Sequence, residues 1–507
     1  MALERSLGND GEASRAMYLL GIDIGTSGVK ALLIDTSGAV IASASESYPL
    51  YTPQPLWAEQ DPNDWWNATC KAIRRLLADS GVSPGAIRGV GLSGQMHGSV
   101  FLDARGESIR PALLWCDQRT AAECAWITER VGERTILETT LNPVLTGFQA
   151  GKIIWLRAHE PENYAQVRQV LLPKDFIRYR LTGESATEVS DASGTALFDV
   201  PRRDWAYALL DALELPRAWF PKVYESPEIT GRITASAAQA TGLAEGTPVV
   251  GGAGDQAAGA VGVGVVQTGR VSVSIGTSGV VFAHLDAPQV DPHYRTHTFC
   301  HAVPGAWHVM GVMLMAGGAL QWYRETFAPE TDYDALVQEA QDAPAGAEGL
   351  LFAPYLSGER TPYPDPQARG AFVGLTLAHQ RAHCTRAVLE GVAFGLRDSL
   401  EILKAMRVPL HELRLTGGGA RSPLWRQILA SVFGQPVHTL QAEEGPAYGV
   451  ALLAGVGTGV WQTVPEACAQ TVQRAATTEP IAEQAATYET LYARYQQLYP
   501  ALRAFWS

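Results

Sequence analysis

A mixed α/β protein built from two related halves is the architecture this sequence predicts, and three observations predict it. The stretches "GIDIGTSGVKALLID", from Gly21, and "VSVSIGTSGVVFAHL", from Val271, are near copies set far apart. Each joins two runs rich in branched apolar residues through a Gly-Thr-Ser-Gly turn, which is the pattern of paired strands, and helical periodicity follows both. A chain of 507 residues also exceeds what one hydrophobic core usually supports, so two large domains are the simplest division.

The elements read in order. From Tyr18, "YLLGIDIG" is a strand, the turn begins at Gly25, and "VKALLID" and "TSGAVIASASESY" continue as antiparallel strands. "DWWNATCKAIRRLLADSG" is a helix closed by Gly81, and "IRGVGLSGQMHGSVFLD" is a further strand. Near Arg270 a second unit starts with strand, glycine turn and strand, followed by helices around "CTRAVLEGVAFGLRDSLEIL" and "PLWRQILASVFG". The halves are expected to meet in "GVGVVQTGRV", and the segment after Trp461 reads as helical. The expected division is a loose tail over 1–17, domains over 18–263 and 264–460, and a helical tail over 461–507.

Composition excludes several classes of function. Hydrophobic residues at 46% and charged residues at 18% describe an ordinary globular protein. A net charge of −13 and a pI near 5.4 disfavour nucleic acid, whose binders display basic patches. Cys70, Cys116, Cys124, Cys300, Cys384 and Cys468 include no C-x-x-C pair, so reduced thiols in the cytoplasm are expected. The first residues lack the apolar stretch of a signal peptide. The most apolar run, "AAGAVGVGVV", falls short of the ~20 residues that span a bilayer, so no membrane partner is expected.

The repeated turn offers backbone N–H groups unobstructed by Cβ atoms, plus two hydroxyls, an arrangement suited to phosphate oxygens. A plain hairpin explains one copy. Two copies favour a pair of loops gripping one polyphosphate, with Gly25, Thr26 and Ser27 in the first and Gly276 and Thr277 in the second. Asp23, two residues before the first loop, either satisfies turn amides or holds Mg²⁺, directly or through water; the phosphate context favours the metal.

In "VVGGAGDQAAGAVGVG" a strand runs into glycines, Asp255, and a helix expected to start at Gln256. Asp255 fits an N-cap equally well, but the glycines admit other groups close to the backbone, which favours a general base for phosphoryl transfer. Met96 and His97 lie between two glycines at a strand end, where a lone histidine is more often structural. Gly89, Gly91 and Gly94 match G-x-G-x-x-G, but no helix follows, so a dinucleotide site is rejected. Gly151-Lys152 lacks the spacing of a P-loop, and His293, His297 and His301 alternate like a strand, too far apart for zinc. The glycines in "RLTGGGARSPLWRQIL", before a helix, suit a nucleotide's base or ribose, and "AEEGPAYGVALLAG" reads as a helix closely approached at Gly449.

Together these motifs, with "LWAEQDPNDWW", "GLSGQMHG", "LWCDQR", "LLPKDFIRYRLTGE", "SDASGT" and "LSGERTP", resemble the FGGY carbohydrate kinases over about Tyr18 to Ala454. "GQMHG" marks the xylulokinase branch. The resemblance implies two related domains of the actin-like, ribonuclease H-like ATPase fold facing a central cleft, with ATP mainly on the C-terminal side and sugar on the N-terminal side. It implies ATP-dependent phosphorylation of D-xylulose to D-xylulose 5-phosphate, with another sugar, polyol or gluconate, or a non-sugar ATPase, as the alternative. Asp255 then matches the proton acceptor, Asp23 the Mg²⁺-linked carboxylate, and Met96 and His97 the sugar contacts. Thr26, Gly276, Thr277, Gly418 and Gly419 match the nucleotide side, and Asp117 and Arg119 lie in a motif expected near the sugar. Gln256 stands where many relatives carry Asn, and Cys116 where several carry Asn, so both touch on sugar preference. A homodimer is common in the family.

Overall fold

The computed structural model describes residues 17–441 and 444–506; the expected tail over 1–17 falls outside these residues except for Met17, as does Ser507. Two sheets dominate. The first takes strands β1 (Tyr18–Ile24), β2 (Gly28–Asp35), β3 (Val40–Ser47), β4 (Ile87–Gly94), β5 (Ile229–Arg232) and β6 (Pro248–Val250), in the order β5-β6-β4-β1-β2-β3. The second takes β7 (Gly269–Ile275), β8 (Gly279–Leu285), β9 (His297–Cys300), β10 (Trp307–Met313), β11 (Leu410–Thr416), β12 (Val437–Leu440) and β13 (Arg474–Thr478), in the order β9-β10-β8-β7-β11-β12-β13.

Apart from the added β9, the sheets match strand for strand and in direction. β1 is antiparallel to β2 and parallel to β4, as β7 is antiparallel to β8 and parallel to β11. The tail expected to be helical supplies β13, the counterpart of β5, before helices resume. Its strand escaped notice because "RAATT" carries no branched apolar side chain and is stabilised by pairing with β12 rather than by its own pattern. The expected single strand after Ile87 is likewise broken: β4 ends at Gly94, His97 takes φ +70°, and Val100–Leu102 pairs elsewhere.

The helices follow from local chemistry. In α1 (Pro62–Ser80), Asp61 accepts from the Asn63 N–H at 2.9 Å, and Gly81 closes the last turn at φ +65°; such a cap contributes about 1 kcal/mol. Trp65, Ala72, Ile73 and Leu76 form its buried stripe against the first sheet. The helices that matter most for the site are α2 (Gln149–His159), α3 (Pro173–Thr182), α4 (Asp255–Gly262), α5 (Gly317–Phe327) and α6 (Pro446–Gly457).

Although α6 follows the second half in sequence, it lies on β1 and β4 of the first sheet and crosses α4. A methyl group on Gly449 would overlap the Ala258 carbonyl, and one on Gly21 the Ala447 carbonyl, so both close approaches depend on bare backbone. Leu19, Leu32 and Ile34 share one apolar cluster with Ala257, Ala258 and Val261 of α4 and Ala447 to Ala454 of α6. This cluster joins the halves beneath the cleft. Among the described residues no helix is long and apolar enough to cross a membrane.

Candidate active site

The first turn is held from behind. Tyr48 and Gln95 donate to the Gly25 carbonyl at 2.5 and 3.3 Å, and Gln60 donates to that of Thr26 at 2.7 Å. The Gly25 N–H closes the turn onto the Gly28 carbonyl at 3.0 Å. In the second turn the Gly276 N–H closes onto Ser278 at 3.0 Å, while Gly317 and Gly318, opening α5, donate to the carbonyls of Gly276 and Thr277 at 2.7 and 3.0 Å. Side chains thus do for one loop what a helix terminus does for the other. In both, the next two N–H groups, of Thr26 and Ser27 and of Thr277 and Ser278, have no hydrogen-bond partner among the described residues. Such adjacent unpaired amides form an anion cradle. The Thr26 hydroxyl is spent within the fold, accepting from Trp115 at 2.9 Å and donating to Gln95 at 3.3 Å.

Strand register places Asp23 beside Lys30 of β2 and Ser93 of β4, with Ser274 at the matching place beside Val280 and Thr416. Burial pushes Asp23 up to about 6, while the Ser93 hydroxyl and the Lys30 ammonium pull it down. Its Oδ1 is buried with no hydrogen-bond partner among the described residues. Lys30 itself is paired across the halves, 2.5 Å from Glu444.

Asp255 is the first residue of α4, one position earlier than the periodicity suggests, and Gly254 is the cap. Burial pushes it up to about 7; the Asp23 carboxylate adds to this and the Gln256 amides oppose it. The start of the helix is fixed from the "SDASGT" segment, whose Ser190 hydroxyl accepts from the Gly254 N–H at 3.1 Å. Beside it, Asp191 sits in a fully buried charge cluster, 3.3 Å from Lys174 of α3, which also pairs with Asp175 at 2.7 Å. Burial raises Asp191 well above the usual carboxylate range against the pull of Lys174.

Asp255 and Gln256 line a cavity of about 310 Å³ whose opposite walls are Ser272 and Ser274 of β7, the Thr416–Gly418 turn, and Gly445 and Pro446. Gly418 borders this space, whereas Gly419 is packed against Ile275 and Trp425. Gly25, Thr26, Ser27, Gly276 and Thr277 stand outside the lining, at the ends of the strands that carry Asp23 and Ser274.

On the other side of Asp255, the Met96 side chain fills the space left by the missing side chain of Gly254. The His97 ring donates from Nδ1 to the Gly194 carbonyl at 2.7 Å, and its own carbonyl accepts from Lys152 Nζ at 2.8 Å. Burial is the main force pushing His97 down to about 3, so the ring is neutral and Nε2 carries a lone pair. Lys152, part of a failed P-loop pattern in the sequence, proves to be a buried clamp on α2 that also donates to Gly147 at 2.6 Å.

Asp117, expected against the sugar, is wholly committed to the scaffold. Its oxygens accept from the Ala58 N–H at 2.7 Å and from Arg119 at 2.7–3.0 Å. Arg119 in turn lies 3.5 Å over the Trp57 ring. Ser190, Asp191 and Lys174 were signalled only by the motifs that contain them, and Lys152 by nothing in its own neighbourhood.

Geometry of this kind, a carboxylate of raised pKa between a histidine in an aromatic cluster and a glycine-lined cavity near two turns with unpaired amides, suits phosphoryl transfer to a hydroxyl. Residues 18–262 match the N-terminal domain of the FGGY family of carbohydrate kinases, and residues 271–458 match its C-terminal domain. Xylulose kinase of Escherichia coli (strain K12) is 43% identical over 491 residues, covering 96% of this chain and 100% of that one. The crystal structure of a "xyloylose kinase" from Brucella ovis superposes with a TM-score of 0.91 at 39% identity, covering 96% of this chain and 100% of the other. That of a gluconate kinase from Lactobacillus acidophilus gives a TM-score of 0.91 at 29% identity, over 97% and 99%. The chain belongs to the FGGY family of carbohydrate kinases and is a sugar kinase with two domains of the actin-like ATPase fold, using ATP as its donor.

Proposed function

We propose that this chain transfers the γ-phosphoryl group of ATP to the terminal hydroxyl of D-xylulose, giving D-xylulose 5-phosphate and ADP. One observation carries the reading: Asp255 stands between the Met96–His97 pocket and the 310 Å³ cavity walled by the second half. Its carboxylate, raised to about 7, takes the hydroxyl proton as the oxygen attacks phosphorus. Met96 and His97 hold the sugar, and Gln256, one methylene longer than the asparagine of relatives, adjusts the same wall. Asp117 acts through Arg119 rather than by touching the sugar.

The nucleotide lies against Gly418, with Gly419 packing the turn beneath it, and its phosphates meet the amides of the turns at Gly25–Ser27 and Gly276–Thr277. The residues fit Mg²⁺: Asp23 offers a hard oxygen with no internal partner, and such a cation needs only one or two carboxylates beside phosphates and water. When bound, the ion neutralises charge gathering on the transferred group. The same reading places the enzyme in the cytoplasm as a homodimer, an assembly that sedimentation velocity tests.

Gluconate is the second reading, favoured by the likeness to the Lactobacillus acidophilus fold; the higher identities to bacterial xylulose kinases favour the first. Incubation with MgATP and xylulose, followed by mass spectrometry and phosphorus NMR, should show a 5-phosphate. Asp255→Ala should bind nucleotide normally and form product about 10²–10⁴-fold more slowly. Undiminished turnover in that variant removes the base assignment.

A further inference from the structure

The histidine pocket is not built by the first half alone. His97 packs against Phe148 with ring centroids 4.6 Å apart and the rings tilted by 31°, and Phe148 lies 6.1 Å from His297, which belongs to β9 of the second half. Phe299 closes the group, 6.2 Å from His97 and 5.9 Å from His297, its ring nearly parallel to the latter.

The proton positions on both histidines follow from their partners. Asn142 donates from Nδ2 to the carbonyls of Thr140 and Thr298, so its Oδ1 is an acceptor, and His297 Nδ1 at 3.2 Å must donate to it. His297 Nε2 is then a lone-pair acceptor, buried and without a hydrogen-bond partner among the described residues. His97 Nε2 is a second acceptor by the same reasoning. The missing donor is close. Arg360 follows Glu359, whose carboxylate accepts from the Leu314 N–H at 2.9 Å, and precedes Thr361, which accepts at its hydroxyl from Val312 at 3.1 Å. These bonds fasten the segment to the end of β10, beside β9. The Arg360 guanidinium makes no hydrogen bond or ion pair among the described residues, although its charge is felt by both His97 and His297.

Two fixed acceptors and one unpaired donor suit a ligand that offers two hydroxyl hydrogens and one acceptor oxygen. A ketose presents that order at its carbonyl end, hydroxyl, keto oxygen, hydroxyl, whereas a polyol's middle hydroxyl accepts from the guanidinium only by leaving its own hydrogen in need of a further acceptor. We propose that His297 and Arg360, carried by the second half, complete the sugar subsite begun by Met96 and His97, with His297 accepting from a sugar hydroxyl and Arg360 donating to the keto oxygen. This rests on the ketose reading above and sharpens it: ketose selectivity resides in the second half, outside the "GQMHG" stretch.

The test compares wild type with Arg360→Gln, which loses no internal partner, and His297→Phe, which keeps the ring stacking. Arg360→Gln should raise KM for xylulose roughly tenfold or more while changing the inhibition constant of xylitol less than twofold, with KM for ATP unchanged. His297→Phe should raise KM for xylulose by a similar factor, and that penalty should vanish with one of the 1-deoxy or 3-deoxy analogues. A xylulose KM within twofold of wild type in Arg360→Gln, or equal losses for xylulose and xylitol, overturns the proposal, as does a His297→Phe penalty that persists with every deoxy sugar. Absence of wild-type turnover on xylulose would instead remove the parent reading, so the two failures are told apart.

Discussion

Asp255 shows how one residue is tuned by where it is put. Its ordinary pKa near 3.8 is raised to about 7 by burial and by Asp23, so it is a base that ionises near working pH. In the proposed role of proton acceptor it must be deprotonated: kcat/KM for the sugar should fall about tenfold per unit below pH 7 and level off above it. Stability runs the opposite way. The folded protein keeps this proton up to about pH 7 while the unfolded chain has already released it, so the group's contribution is present at low pH and lost as pH rises through 7. Asp255→Asn should accordingly raise the Tm of the ligand-free protein at pH 8 and leave it nearly unchanged at pH 4, as calorimetry can check. Lys152 makes the complementary case. It bonds only to the carbonyls of His97 and Gly147, holding a residue at φ +70° in place. Lys152→Met should raise KM for the sugar at least tenfold and leave that for ATP within twofold; equal changes in both would mean a general loss of structure.

At the scale of elements, strands and loops were far more legible than their supports. The two Gly-Thr-Ser-Gly turns announce themselves because a tight turn is a local event, written in four consecutive residues. What holds them is not local: Gln95 reaches the first turn from just past the end of β4 and Gln60 from a short strand paired with Ala112–Leu113, and α5 reaches the second from about forty residues downstream. The strand β13 was invisible for the same reason, and Lys152, His297 and Arg360 acquire meaning only once distant segments are packed together. The bond that Asp117 accepts from the Ala58 N–H was not legible either, because proximity in sequence to an expected sugar motif says nothing about where a carboxylate's hydrogen bonds go. Helix α6 carries a sharper expectation. Gly449 passes so close to the Ala258 carbonyl that Gly449→Val must push α6 from α4, costing about 1–3 kcal/mol or more, read as a lowered Tm.

In the whole molecule, duplication explains why one topology appears twice while the chemistry does not. The sheets match strand for strand, yet Asp23 on the first corresponds to Ser274 on the second, so the carboxylate proposed to hold the metal is built on one sheet only. The last helix of each half crosses the other in a shared apolar core, and Lys30 pairs with Glu444 above it. About one-third exposed, that ion pair contributes about 1 kcal/mol or less, too little to oppose a closing of the halves on substrates. Closing would exclude water from competing for the phosphoryl group. The measurement that tests this account most directly is ADP release from MgATP with xylulose, ribulose, gluconate, glycerol and no sugar, taken as kcat/KM. The account predicts xylulose highest, well above every other acceptor and above hydrolysis without sugar; gluconate or ribulose ahead of xylulose, or no sugar above background, would contradict it.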